Sequence, residues 1–377
     1  MHAESIKQLV RFYLKMGSAS TELGSLYIEG PPGVGKSQVV QDVAKEEAVG
    51  FIDFRLLLRD PTDLRGIPVP DMAASQAAGL VLALAALQGG SGEEARDRLT
   101  HSANGTQVTH WLPPSDLPHL HLHGERGILF FDDLPTAPPL VQASAYQITI
   151  APHKLGEYQL PPGWVIIAAG NRRGEGLVHP VPAPLRNRFT RVSFEVSLEE
   201  WSVWAVRAGI HPACTAFIHW AYGRETAAPN WPLFRFDPQR DEWAFPTPRA
   251  WERVSRKLTV LAGLGDLTEV IEGDLGAGTA VEFAAFLQVF GKVPDPLQIL
   301  AGKFVVPKSA DLLYATVMAV AAKAQPDQYG TAVEYADKLP TEFAVLLVKT
   351  LANKNIEALR AAPRFAGWAH AHRDVLL

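Results

Sequence analysis

Two rhythms of apolar residues divide this chain. In the first half, short continuous apolar runs alternate with stretches of helical spacing. The runs are SLYIE (Ser25–Glu29), GFIDFRLLL (Gly50–Leu58), GILFFDD (Gly127–Asp133), GWVIIAAGN (Gly163–Asn171) and FTRVSFEVS (Phe189–Ser197). Runs this short predict strands buried on both faces, as in a parallel sheet. Residues 37–47 and 138–150 carry apolar side chains three and four apart and predict helices, as does MHAESIKQLVRFYLKMG at the start. From about Leu198 the rhythm is helical throughout, in LEEWSVWAVRAG, CTAFIHWAYG, TPRAWERVSRKLTVLAG, AVEFAAFLQVFG and LLYATVMAVAAKA. No convincing strand follows Ser197. The pattern predicts an α/β core, a parallel sheet with helices on both faces, followed by an all-α half. The expected divisions are an α/β domain over residues 1–197 with an insertion at about 60–115, a helical domain over 198–265, and a helical extension over 266–377.

Chemistry enters between the first run and the first helix. GPPGVGKS, Gly30–Ser37, fits G-x-x-x-x-G-K-[ST], the P-loop. Glycines let the backbone wrap closely around phosphates, where a Cβ would clash. The turn aims N–H groups at phosphate oxygens, and the following helix points its positive end at the same place. Lys36 can then reach the β- and γ-phosphates, and the Ser37 hydroxyl can bind Mg²⁺. The motif lies between a predicted strand and a predicted helix, which is its confirming context.

Three of the buried runs end at polar groups: Glu29, the Asp132–Asp133 pair, and Asn171. In an open parallel sheet, ligands bind outside the carboxyl ends of the strands, so these ends should converge on one site. Asp132 is the expected Mg²⁺ carboxylate, opposite Ser37. Asp133 is placed to act as a general base or to orient a water. Asn171 offers a neutral amide that can donate to a γ-phosphate without adding charge. Arg186 and Arg188, in PLRNRF, are candidates for the arginine that stabilises transition-state charge, with Arg172 and Arg173 as nearby competitors. Arg249 follows Thr247, an expected N-cap, and Pro248, an expected first helical residue. A cation in that first turn opposes the helix dipole, so an anionic partner is expected, either a phosphate or a carboxylate. His119, His121 and His123 alternate in PHLHLHG. They read either as one polar face of a strand with leucines buried behind it, or as a zinc site.

Composition narrows the classes. The chain has 377 residues, 47% of them hydrophobic, enough for two or three domains with real cores. A formal net charge of −5 gives no general basic excess, and a nucleic-acid partner is not expected. The single cysteine, Cys214, permits no internal disulfide and suits a cytosolic setting; it reads as a small core residue. MAASQAAGLVLALAALQ, residues 72–88, is short and Ala-rich, and reads as a buried or partner-facing helix instead of a membrane span. Six of the nine tryptophans fall between Trp201 and Trp251, which points to aromatic core packing there.

Taken in order, GPPGVGKS, DLRGIPVPD with THWLPPSDLP, ILFFDD, IIAAGNR, LRNRF and AFPTPRAW resemble the AAA+ ATPases, and more narrowly their MoxR-like branch. The resemblance covers about residues 25–260. It implies that Gly30, Pro31, Pro32, Gly33, Val34, Gly35, Lys36, Ser37 and Gln38 hold ATP, with Asp132 as the magnesium carboxylate. It further implies Asn171 as sensor 1, Arg188 or Arg186 as the arginine finger, and Arg249 as sensor 2 on the helical lid. Such proteins are typically hexameric rings with ATP between subunits. They usually serve as remodelling or maturation chaperones, often with a von Willebrand factor A domain partner. The insertion and the hairpin in HKLGEYQLPPGW would face the pore or the client. One position departs: the family usually has Asp-Glu where this chain has Asp132-Asp133. A side chain one methylene shorter displaces its carboxylate by about 1 Å, a misplacement that can cost about 100-fold in rate. Slow hydrolysis, or an ATP-binding scaffold that recruits a partner, follows as the second expectation.

Overall fold

The computed structural model describes residues 1–17, 23–70, 109–172, 175, 179–222, 231–237, 242–263 and 265–376. Most of the expected insertion, including residues 72–88, lies outside the described residues, as does Arg173. The chain falls into two compact units, Met1–Glu195 and Val196–Leu377.

In the first unit the elements run α1 (Ala3–Met16), β1 (Ser25–Glu29), α2 (Lys36–Glu46), β2 (Gly50–Asp53), α3 (Pro61–Arg65), β3 (Ile67–Pro70) and β4 (Thr109–Leu112). There follow α4 (Leu120–His123), β5 (Arg126–Phe131), α5 (Pro139–Ile148), β6 (Lys154–Leu155), β7 (Tyr158–Gln159), β8 (Gly163–Gly170), α6 (Ala183–Arg186) and β9 (Phe189–Ser193). Five strands form one sheet in the order β2-β5-β8-β1-β9, with every neighbouring pair parallel. The apolar runs explain it. Ile128, Leu129, Phe130 and Phe131 of β5 are each at most 1% exposed, and β8 is buried from Trp164 to Gly170. Burial of each large side chain contributes about 1.5–3 kcal/mol. The register pairs Glu29 with Gly170 and Phe131 with Ala168. Gly30, Asp132 and Asn171 therefore leave the sheet side by side, as the strand-end pattern predicts.

Several local expectations are corrected. The run Gly50–Leu58 is a strand only to Asp53; Phe54 donates one further bond to Phe130 O (2.8 Å), and Leu56–Leu58 form a 3₁₀ turn. Leu57 and Leu58 face outward, at 47% and 73% exposure, so the apolar run overstates the strand. The run from Phe189 stops at Ser193, beyond which Phe194 donates a single bond to Glu29 O. The histidines do not alternate on a strand. They occupy the α4 turn, where the His119 N–H donates to His123 Nδ1 (3.1 Å) and Gly124, at φ +83°, ends the turn. Leu122 is exposed instead of buried, while His119 is enclosed and approaches the carbonyl of Pro114 through Nε2 (2.9 Å). Local hydrogen bonds have overridden the period-two pattern. Among the described residues no group of three His, Cys, Asp or Glu side chains is placed to hold a metal ion.

The β3–β4 pair and the β6–β7 hairpin are small antiparallel additions to this core. A Cβ on Gly66 (φ +88°) would lie 1.8 Å from the carbonyl of Leu112, so the β3–β4 pair depends on glycine there.

The second unit is helical throughout its described residues: α7 (Leu198–Arg207), α8 (Pro212–Ala221), α9 (Pro248–Val260), α10 (Thr268–Leu275), α11 (Ala277–Phe290), α12 (Pro296–Leu300), α13 (Ala310–Lys323), α14 (Tyr329–Ala336), α15 (Thr341–Lys354), α16 (Ile356–Ala361), α17 (Phe365–Ala371) and α18 (Arg373–Leu376). One core gathers Trp201, Phe217, Trp231, Trp251, Phe283 and Phe286; another gathers α13 to α17. Trp201, Trp231 and Trp251 are core residues as expected, but Trp243 is 97% exposed and packs in neither. Cys214 is fully buried, and burial pushes its thiol pKa up. No helix among the described residues is long and apolar enough to cross a membrane.

Candidate nucleotide site

The loop from Gly30 to Ser37 joins β1 to α2. Gly33 and Gly35 hold φ of +75° and +100°, a left-handed backbone that side chains disfavour. Gly30 is needed for space, since a Cβ there would meet Phe194 O at 2.9 Å. Pro31 and Val34 are buried, and Pro32 is half-buried. Gln38, exposed on α2, donates to Asp42 Oδ1 (2.7 Å).

Lys36 is the first residue of α2 and only 7% exposed. Its Nζ donates to Gly30 O (2.9 Å), Pro31 O (2.9 Å) and Asn171 Oδ1 (2.8 Å). A cation at a helix N-terminus is opposed by the dipole by roughly 0.3–1 kcal/mol. Oxygen acceptors must offset that, and phosphate oxygens supply the same acceptors with full charge. The loop therefore fits a polyphosphate. Ser37 Oγ donates to Asp132 Oδ2 at 2.8 Å. Burial first, then the neighbouring Asp133 and Asp53 charges, raise the Asp132 pKa, against the lowering by the Ser37 bond. A hydroxyl beside a carboxylate whose charge is poorly solvated is an oxygen donor set that fits Mg²⁺.

Asp133 has a left-handed backbone (φ +49°, ψ 38°). Its N–H donates to Asp132 Oδ1 (3.1 Å), and its carbonyl accepts from Thr136 Oγ1 (2.6 Å) and Thr136 N (2.8 Å). The left-handed state costs about 1–2 kcal/mol, less than the burial of β5 contributes, so the strand end holds it. Asn171 follows β8, half-buried, and is brought to Lys36 by the β1–β8 pairing.

The arginines separate. Arg188 is exposed, its guanidinium over the Tyr146 ring (5.8 Å) and donating to Tyr146 Oη (3.4 Å). Arg186, the last residue of α6, is also exposed. Arg172 donates to Ser193 Oγ (2.8 Å) and lies 4.0 Å from Glu195, which ties it to the β9 edge. Arg249 belongs to the second unit. There Thr247 caps α9 by accepting from Ala250 N (3.0 Å) and Pro248 is the first helical residue. Arg249 is exposed and makes no ion pair among the described residues, so the carboxylate partner considered for it is absent there.

Three contacts near the sheet edge were not anticipated. Glu29 turns away from the loop and accepts from Arg191 Nε on β9 (2.9 Å). Arg55 donates through Nε to Asp53 Oδ2 (3.0 Å), and Asp53 first, then Asp132 and Asp133, raise its guanidinium pKa. Tyr27 places its hydroxyl below Gly170, where it would lie 2.5 Å from an added Cβ. A tyrosine in the otherwise aliphatic centre of β1 was the signal available in the sequence for this last one.

No protein-family model and no curated protein matches the chain. Among solved structures, a point mutant of Thermotoga maritima RuvB shares 14% identity over 78% of this chain and 75% of that one, with a TM-score of 0.35. A second mutant gives 15%, 79%, 74% and 0.34. RuvB described as a Holliday junction branch migration motor gives 14%, 78%, 74% and 0.32. Likeness at this level assigns neither family nor function. What the molecule itself displays is a parallel α/β fold with a P-loop at the carboxyl edge of its sheet.

Proposed function

We propose that this protein is a Mg²⁺-dependent ATPase of the AAA+ kind, of the MoxR-like branch. The reading has it assemble as a homo-oligomeric ring, hexameric in the family, and remodel or mature a protein client in the cytoplasm. The observation that carries the nucleotide reading is the Ser37–Asp132 bond. It brings the motif hydroxyl and a strand-end carboxylate together across 95 residues of sequence. In this reading Gly30–Gln38 hold the nucleotide and Lys36 pairs with its phosphates. Ser37 and Asp132 hold Mg²⁺, which supplies charge neutralisation to the phosphates when bound. Asp133 orients the attacking water, and Asn171, Arg249 and either Arg188 or Arg186 stabilise charge at the γ-phosphate. The exposure of Arg188 and Arg186 suits a finger that acts on a neighbouring subunit.

The test is steady-state ATP hydrolysis over a protein-concentration series. Turnover per subunit should climb with concentration, vanish in Lys36→Ala, and fall about 100-fold or more in whichever of Arg188→Ala and Arg186→Ala removes the finger. Full activity in both arginine variants would sink the intersubunit part.

A second reading is favoured by Asp133 alone. The short acid leaves hydrolysis negligible, and the protein is an ATP-dependent scaffold that recruits a von Willebrand factor A domain partner. Asp133→Glu decides between them: a large gain from near zero supports the scaffold, and little change supports a site tuned to Asp.

A further inference from the structure

The second unit holds an open cavity of about 450 Å³, within the usual range for a small-ligand site. It lies where α10 ends and α11 begins, beside the segment that leads into α9. Several features of its lining have no use inside the fold. Gly276 stands at the N-cap of α11 with φ +75°, and a Cβ there would lie 2.5 Å from Ala244 O. No capping side chain fits, so the first-turn N–H groups of Ala277, Gly278 and Thr279 have no partner from helix or cap. Thr279 is 4% exposed, and the surface it keeps lines the cavity. Its hydroxyl makes no hydrogen bond among the described residues, although a valine would fill that volume without burying a polar group. Arg235, half-buried and fastened by its backbone N–H to Pro246 O (3.0 Å), adds a cation to the lining. Glu269 and Glu272 add two carboxylates from α10, three residues apart, where like charges repel. None of these three side chains makes an ion pair among the described residues. Trp243 adds an indole that is 97% exposed. Gly273, within α10, also lines the cavity, and a Cβ on it would meet nothing within 4 Å. Neither backbone nor packing calls for glycine there, and glycine weakens a helix.

N–H groups, a hydroxyl and a guanidinium together fit a carboxylate. Two carboxylates and an indole fit a cation. A lone anion would be repelled by Glu269 and Glu272, and a lone cation by Arg235, so the matching ligand carries both charges. We propose that this cavity binds the end of a peptide chain whose last residue is arginine or lysine. Its α-carboxylate goes to the start of α11, Thr279 and Arg235, and its basic side chain to Glu269, Glu272 and Trp243. A free amino acid fits less well, because its α-ammonium would accompany the carboxylate to Arg235 and the positive end of α11. The site lies within the second unit and does not depend on ATP hydrolysis.

The experiment is calorimetric titration of the full chain with acetyl-Gly-Arg, its C-terminal amide, acetyl-Gly-citrulline and free arginine. The acetylated dipeptide should bind about 10-fold or more tighter than each of the other three, each of which lacks one charge or adds the wrong one. Thr279→Val should weaken binding about 10-fold with the thermal midpoint unchanged or raised, because an unbonded hydroxyl contributes nothing to the fold. Glu272→Gln should bring arginine and citrulline peptides to within about 2-fold of each other. Gly273→Ala should raise the midpoint, by helix propensity, and weaken binding, by narrowing the cavity. No binding of acetyl-Gly-Arg overturns the proposal, as does equal binding of its amide. Affinity unchanged in both Thr279→Val and Glu272→Gln overturns the site, and a lowered midpoint in Thr279→Val makes that residue structural. Free arginine binding as tightly as the dipeptide overturns the assignment to a peptide end.

Discussion

Each unit of the molecule contains a lysine surrounded by backbone carbonyls, and the two teach opposite lessons. In the second unit, Lys354 donates to the carbonyls of Ala321 (3.2 Å), Ala322 (2.8 Å) and Ala324 (2.7 Å), at the C-terminal end of α13. A cation belongs there: the carbonyls lack helical partners and the dipole is negative. In the first unit, Lys36 stands at the N-terminal end of α2, where the dipole is positive. Similar hydrogen bonds therefore mean a cap in one place and a site prepared for an anion in the other. The same contrast holds for carboxylates. Asp274, 5% exposed, lies between Arg253 Nε (3.0 Å) and Lys257 Nζ (2.6 Å), its charge matched by α9. Asp132 has a serine hydroxyl and two acidic neighbours, and its pKa is raised.

The comparison can be broken most sharply at Lys36. Lys36→Ala should lower ATP turnover at least about 100-fold while leaving the unfolding of the first unit nearly unchanged. A stability loss with intact turnover would make it a structural lysine like the other. Asp274→Asn should do the reverse. Losing a buried ion pair costs about 3–5 kcal/mol, and less here because Arg253 and Lys257 reach solvent, so about 2 kcal/mol is expected in denaturant unfolding of the second unit. Lys354→Met is next, at about 1 kcal/mol, with turnover intact. A last effect, read only in acid, is a pH dependence of the second unit. Enclosure pushes the His219 pKa down to about 4, with its Nε2 3.0 Å from Ser202 Oγ. The unfolded chain takes up that proton near pH 6.5 and the folded chain does not, so stability should fall as pH drops from about 6.5 towards 4 and stay flat above 7. Measured acid unfolding should lose part of that slope in His219→Gln, the remainder belonging to His211, whose pKa burial also lowers.

Much of the site is legible in the sequence. The P-loop motif, the buried runs ending in Asp132 and Asn171, and the capped start of α9 at Thr247 are local patterns. Strand burial, loop curvature and helix initiation are decided within a few residues. Where the apolar period misled, a turn or a local hydrogen bond took its place. The leucines at 57 and 58 read as strand but lie on an outward turn, and the alternating histidines read as a strand face but close a helical turn through His119 and His123.

The sequence by itself determined the parallel α/β architecture of the first unit, the helical character of the second, and the residue types available at the sheet edge, because hydrophobic period and turn chemistry are written along the chain. Only the tertiary structure decided who meets whom. Register alone brings Ser37 to Asp132 and Lys36 to Asn171. Glu29 is turned to Arg191 by the neighbouring β9, and the Tyr27 hydroxyl finds room because Gly170, distant in sequence, leaves the space. Contacts between strands far apart in the chain depend on sheet order and side-chain volume, and neither is encoded in any one stretch.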